Sequence, residues 1–192
     1  MKIVPATPDH APLIGRAVTM AIGEEITRSL AGADHTPADV TALFASLAQR
    51  DDTQYSYLNT LAAVDDDGRV MGLLVGYDGV GLIRLRRVFF SEALRQLDLD
   101  FGPDADSMAP ETTPDEFYLD TLAVFPEYRG RGVARALIEA ARRRAVECGK
   151  PLGLLVDKAN ARARALYVSE GFRAVDERYF AGELMDHMQL PQ

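Results

Sequence analysis

A mixed α/β fold, with a sheet of about seven strands flanked by helices, is predicted by three observations. Two β-rich runs, 57–64 and 70–77, are joined by the turn cluster Asp65-Asp66-Asp67-Gly68-Arg69 and therefore pair as antiparallel neighbours. The apolar run 152–156 follows a helix-period segment, 133–148, in the manner of a strand buried on both faces. Helical and strand patterns alternate along all 192 residues without repeat or low-complexity segment, so a single domain is expected.

The elements follow in order. Residues 2–6 are a short extended run ended by Thr7-Pro8-Asp9, a helix start ahead of the apolar positions Leu13, Ile14, Ala17, Val18, Ala21 and Ile22. A loop through Ala31-Gly32-Ala33-Asp34 leads to a second helix, with Thr36 as cap, Pro37 at its first position and Val40, Leu43, Phe44 and Leu47 as its buried stripe. The hairpin comes next, then a helix over 80–97 and a long connection over 98–116, of a length that is usually functional or disordered. Residues 117–124 form a strand, 126–132 a loop, and 133–148 a helix with Leu137, Ala140, Ala141, Ala145 and Cys148 inward, closed by Gly149. After the strand 152–156 come a short helix, 160–170, stopped by Gly171, and two last strands, 172–178 and 184–190.

Composition excludes several function classes. The net charge is −8, from 21 Lys plus Arg against 29 Asp plus Glu, which argues against a general nucleic-acid binder. No apolar stretch approaches the roughly 20 residues of a membrane helix, and 1–12 lacks the apolar region of a secretory signal, so a cytoplasmic, non-membrane protein is expected. Cys148 is the only cysteine, and His10, His35 and His187 have no partner at ligand spacing, so neither a disulfide nor a metal is expected. The charges are unevenly placed. Asp98, Asp100, Asp104, Asp106, Glu111, Asp115 and Glu116 face no basic residue within 98–116, whereas 129–144 holds Arg129, Arg131, Arg135, Arg142, Arg143 and Arg144 against Glu139 alone. Such a basic island suits a local anionic ligand, and Arg142 to Arg144 equally suit a solvated helix face.

The segment Val124-Phe125-Pro126-Glu127-Tyr128-Arg129-Gly130-Arg131-Gly132-Val133-Ala134 leaves a strand, turns through two glycines and enters a helix. The first amides of a helix lack intrahelical acceptors, and glycines let an anion approach the backbone, so a diphosphate fits here. Gly130-x-Gly132 is neither a dinucleotide fingerprint, since Arg135 stands where the third glycine belongs, nor a P-loop.

Arg129-x-x-Gly132-x-Ala134, after a strand ending Leu122-Ala123-Val124-x-Pro126-Glu127, resembles the acetyl-CoA-binding motif of the GNAT superfamily of N-acetyltransferases. Asn160-x-x-Ala163-x-x-Leu166-Tyr167-x-x-x-Gly171-Phe172 resembles its C-terminal motif, one helix and one strand downstream. The resemblance covers most of the chain and is weakest over 80–116, which reads as an insertion between the third and fourth strands. It implies a mostly antiparallel sheet splayed between the fourth and fifth strands, with acetyl-CoA as co-substrate and no metal.

It further implies that amides of Arg129, Gly130, Arg131, Gly132, Val133 and Ala134 cradle the diphosphate, with Arg129, Arg131 and Arg135 adding charge, and that the backbone of Leu122, Ala123 and Val124 pairs with pantetheine. Asn160 would contact pantetheine or hold the gap open, and its place equally suits a plain helix N-cap. Tyr167 would protonate the departing thiolate; without the motif it reads as core packing. Asp120, alternating with Tyr118 and Leu122, is the candidate base or amine anchor. Glu24, Glu25 and the acidic stretch would attract a cationic amine, or serve only as a solubilising surface. Tyr55, Tyr57, Tyr77 and Tyr118 could line a pocket, and His187 reads as a structural histidine.

The expected activity is acetyl transfer to a primary amine, small-molecule or peptide, by direct attack in a ternary complex. Cys148, at the far end of its helix, is badly placed to carry an acyl group. The alternative is a non-catalytic CoA-binding regulatory module of the same fold. Members of the superfamily are often dimers, so a homodimer is compatible with the resemblance.

Overall fold

Seven strands form one mixed sheet in the order β1-β2-β3-β4-β5-β7-β6. The computed structural model describes residues 1–191 apart from Asp104, Asp106 and Ser107, so the acidic stretch is described without two of its aspartates. Along the chain lie β1 (Lys2–Pro5), α1 (Ala11–Ala31), α2 (Pro37–Ala48), β2 (Thr60–Val64), β3 (Val70–Asp78), α3 (Leu82–Leu97) and β4 (Phe117–Val124). They are followed by α4 (Val133–Glu147), β5 (Leu152–Asp157), α5 (Ala161–Ser169), β6 (Arg173–Phe180) and β7 (Glu183–Leu190). All neighbouring strands are antiparallel except β4 and β5.

Helices cover both faces of this sheet. Ile14, Ala17 and Val18 of α1 pack with Leu43, Phe44 and Leu47 of α2 and with Phe89 and Ala93 of α3 in one apolar cluster. The other face is closed by Val133, Leu137, Ile138 and Ala141 of α4, with Tyr167 of α5. Thr36 caps α2 through Asp39 N–H, and its own N–H donates to the Asp39 carboxylate at 2.8 Å.

Four local expectations are corrected. The strand expected at 57–64 begins only at Thr60. Residues 57–59 form a 3-10 turn instead, because Ser56 Oγ accepts from Leu58 N–H and Asn59 Nδ2 donates to the Thr53 and Gln54 carbonyls, bonds that compete with a strand ladder. Cys148 is exposed, not inward. It is the cap residue beyond the end of α4, and Ala145 is the last residue the helix buries. The helix started by Thr7 is at first a 3-10 turn over 8–10, with α1 proper following, and α1 breaks at Gly23, whose φ of 83° no helix permits. Ala21, expected among the apolar positions of this helix, is exposed, while its neighbour Met20 lines an open cleft.

The connection over 98–116 ends as a buried strap. Arg86 of α3 and Glu111 pair at 3.1 Å, both almost fully buried, and Arg86 also donates to the carbonyl of Met108. At Glu116, burial alone would raise the carboxyl, but bonds from His187, Thr112 and Gln189 outweigh it and hold the group at about 2. His187 is bonded on both ring nitrogens, to Glu116 at 2.9 Å and Asp176 at 2.8 Å, which fixes β7 and β6 to the start of β4.

Candidate active site

β4 and β5 share only two pairs, Phe117 with Leu152 and Tyr118 with Gly153, and then part. Beyond that point the edge of β4 that faces β5 is without a ladder, and a chain laid in the gap would find backbone donors and acceptors there. The parting begins beside a bulge. Val75 of β3 pairs with Thr121 and Gly76 with Leu119, which leaves Asp120 as the extra residue of β4. A bulge turns its side chain away from the regular pleat, and here it brings a carboxylate among aromatic groups.

Tyr77 hydroxyl donates to Asp120 Oδ2 at 3.0 Å and Thr121 hydroxyl to Oδ1 at 2.9 Å. The Tyr77 and Tyr118 rings meet edge to face at 5.8 Å. Removal from water raises the Asp120 carboxyl most, and the nearby Glu111 charge adds to this; bonds from Thr121, Tyr77 and Gln54 act the other way. The result is a carboxyl at about 6, close to the range in which a group can accept a proton near neutral pH. The phenols of Tyr55, Tyr77 and Tyr118 are pushed well above their ordinary value, first by burial and then by the Asp120 charge.

At its other end β4 runs into the glycine loop. Gly130 and Gly132 both have φ of 77°, which an L side chain rarely adopts, and a Cβ on either would meet no protein atom within 4 Å. Among the described residues no side chain caps α4, and its first backbone bond runs from Ala136 N–H to the Gly132 carbonyl. The amides of Val133, Ala134 and Arg135 are therefore without intrahelical acceptors, beside glycines that leave room in front of them. Such a cradle fits a diphosphate.

A cleft of about 500 Å³ joins these parts. Leu122, Ala123 and Val124 line it from β4, Tyr128, Arg129, Gly130, Gly132, Val133, Ala134 and Arg135 from the loop and α4, and Asn160, Arg162, Ala163, Leu166 and Tyr167 from α5. Tyr167 is 8% exposed, its ring edge to face with Phe172 at 5.6 Å, and burial pushes its phenol up to about 12. It thus keeps its proton at any ordinary pH and can donate it to a stronger base.

The sequence matches the acetyltransferase (GNAT) family over residues 24–172. This chain belongs to that family. Its fold is similar to the crystal structure of an acetyltransferase, with 29% identity, a TM-score of 0.76 and 98% of each chain covered. It also resembles an N-acetyltransferase from Staphylococcus aureus Mu50, with 20% identity, a TM-score of 0.77 and coverage of 98% of this chain and 100% of that one. A third similar structure is the ribosomal-protein-S18-alanine N-acetyltransferase from Escherichia coli, with 20% identity, a TM-score of 0.56 and coverage of 99% and 92%. Comparison with curated protein sequences finds no match.

Within this GNAT fold, the residues singled out in the sequence fall into three groups. Leu122, Ala123, Val124, Arg129, Gly130, Gly132, Val133, Ala134, Arg135, Asn160 and Tyr167 share the cleft. Arg131 is beside it, its guanidinium 5.5 Å from the Tyr128 ring centre, and Asp120 precedes Leu122 by two positions on β4. Glu24 and Glu25 are not among the cleft's lining; both are exposed, and Glu24 pairs with Arg28 one turn on. Asn160 is an N-cap, its Oδ1 accepting from Ala163 N–H at 3.0 Å, while its residue still borders the cleft. Sequence reasoning missed Met20, Tyr128, Arg162 and above all Gln54, which is 3% exposed and faces both Asp120 and Tyr55. Tyr128 and Arg162 lie inside the two motifs and were open to detection; no local pattern marks Gln54.

Proposed function

We propose that this GNAT protein is an acetyl-CoA-dependent N-acetyltransferase that acts on a primary amine in a ternary complex. The observation that carries this reading is the continuity of the cleft, from the open amides at the start of α4, along the unpaired edge of β4, to the phenol of Tyr167. A diphosphate at one end and an extended pantetheine arm along the gap match those features in order. Arg129 and Arg135 line the anionic end and add charge there.

Acetyl-CoA supplies a thioester carbonyl carbon for attack by nitrogen. The protein's part is to hold and move protons. Asp120, at about 6, is charged at neutral pH and accepts the proton that the nitrogen gives up; Tyr167, at about 12, gives its own to the departing sulfur. The two groups are set apart by environment, one raised into the neutral range and the other held protonated, which is the pattern expected of a base and an acid. The whole chain acts as one domain in this reading.

Several acceptors are compatible with this chemistry, including a peptide N-terminus of the kind named for the Escherichia coli structure. Thiol release from acetyl-CoA across polyamines, amino acids, aminoglycosides and short peptides, with calorimetry of CoA binding alongside, tests the reading. Release with one amine class supports it. CoA binding with release by none of them would instead support a regulatory module, and absence of CoA binding would refute the assignment of the loop.

A further inference from the structure

Residues 53–56 connect α2 to the turn before β2, and each is at most 7% exposed. A buried loop must find partners for its backbone, and side chains supply them here. Asn59 Nδ2 donates to the carbonyls of Thr53 and Gln54 at 3.0 and 3.1 Å, Thr53 hydroxyl to Leu47 O at 3.1 Å, and Thr60 hydroxyl to Ser56 O at 2.9 Å. The segment is thus fixed from several sides, and what it presents is Gln54 and Tyr55. Tyr55 packs on Phe44 and Phe89. The Gln54 amide faces the Asp120 carboxylate and the Tyr55 phenol.

Gln54 Oε1 is buried and has no hydrogen-bond partner, and among the described residues no other buried side-chain atom is in that state. An amide oxygen withdrawn from water and left unpaired is costly, and such a group points to a ligand that supplies the missing donor. The ordered loop holds Gln54 where only 3% of it is exposed, so its amide oxygen stays withdrawn from water.

We infer that Gln54 Oε1 and the Asp120 carboxylate together receive the nitrogen of the acceptor, and that Gln54 restricts the acceptor to primary amines. The inference rests on the acyl-transfer reading above. A neutral primary amine has two N–H groups and a lone pair. With one N–H on Gln54 Oε1 and the other on Asp120, the lone pair is left for the acyl carbon. As the N–C bond forms and the C–S bond breaks, the nitrogen's surplus proton passes to Asp120 and the sulfur takes the proton of Tyr167; return of a proton from Asp120 to Tyr167 through solvent resets the site. A secondary amine has only one N–H, so one acceptor stays unpaired and an alkyl group is pressed against a buried amide.

The test uses the full chain and its Gln54→Met variant, which keeps length and volume but removes the acceptor, with n-butylamine and N-methylbutylamine as probes. The wild type should favour the primary amine by at least about tenfold in kcat/KM. In Gln54→Met, kcat/KM for n-butylamine should fall by about tenfold or more, the two amines should come within about threefold of each other, and KM for acetyl-CoA should stay the same. Retention of the primary-amine preference in Gln54→Met would overturn the inference. If the wild type acetylates neither probe, nor any other amine, it is the acyl-transfer reading that fails. Gln54 is then judged by calorimetry on the CoA-treated protein: n-butylamine binding that is lost in the variant supports the receptor, and unchanged or absent binding overturns it.

Discussion

Replacement of Asp120 by asparagine should stabilise the protein while disabling it. The carboxyl, 3.8 ordinarily, is held at about 6, chiefly by removal from water and then by the Glu111 charge, against bonds from Thr121, Tyr77 and Gln54. The folded chain therefore keeps this proton to a higher pH than the unfolded chain does. Stability contributed by the group falls as pH rises from about 4 to about 6, and the full deficit, about 3 kcal/mol, persists above that. Asparagine does not ionise and can still accept from the Tyr77 hydroxyl, but it forfeits one of the two acceptor oxygens, at about 1 kcal/mol. The variant should be more stable than the wild type by about 2 kcal/mol at about pH 8, and no more stable at about pH 3.5, where both carry a neutral side chain. Urea unfolding at the two pH values measures this. Turnover should fall by about 100-fold or more, and the rise of wild-type kcat/KM through about pH 6 should vanish. An Asp120→Asn protein that is less stable than the wild type at the higher pH, or one that keeps its turnover, would refute the reasoning.

Three further outcomes are expected. Tyr167→Phe should lower kcat by about 100-fold with CoA affinity unchanged in calorimetry, since the ring still packs on Phe172 and only the proton donor is gone. Gly132→Ala should cost about 1 kcal/mol of stability from its φ of 77°, and should weaken CoA binding by about tenfold or more as the methyl enters the space before the amides; a Kd within twofold of the wild type would count against the cradle. Glu116, ordinarily at 4.5, is held at about 2, so its contribution of about 3 kcal/mol is present above about pH 4.5 and lost as pH falls toward 2. Glu116→Gln should therefore lower the urea midpoint at neutral pH and flatten the acid limb of the stability profile.

The parts that were legible in the sequence are those encoded by contiguous spacing. The glycine loop and the segment from Asn160 to Phe172 each combine a strand or cap signal, a helix and fixed intervals, and residues of both line one cleft. Asp120 was legible through strand alternation, although the bulge that turns it, which depends on its register with β3, was not. The acidic stretch misled. A run of carboxylates reads either as a surface that attracts a cationic amine or as a solubilising one, and both readings leave it exposed, yet Glu111 and Glu116 are buried against Arg86 and His187, partners 25 and 71 residues away. Gln54 carried no signal because its meaning comes from the loop after α2 meeting Asp120 of β4, which happens only in the folded chain. The early 3-10 turn at 57–59 was missed for a different reason: Tyr57 favours strands, and the side-chain bonds of Ser56 and Asn59 overrode that preference.

Initial rates of thiol release, with acetyl-CoA and the best amine varied against each other, test the central claim most directly. Direct attack in a complex of enzyme, acetyl-CoA and amine predicts lines that intersect in double-reciprocal form and a rate that vanishes without amine. Parallel lines, or thiol release at full rate in the absence of amine, would contradict it, because an acyl group would then rest on the protein or pass to water before any amine arrived.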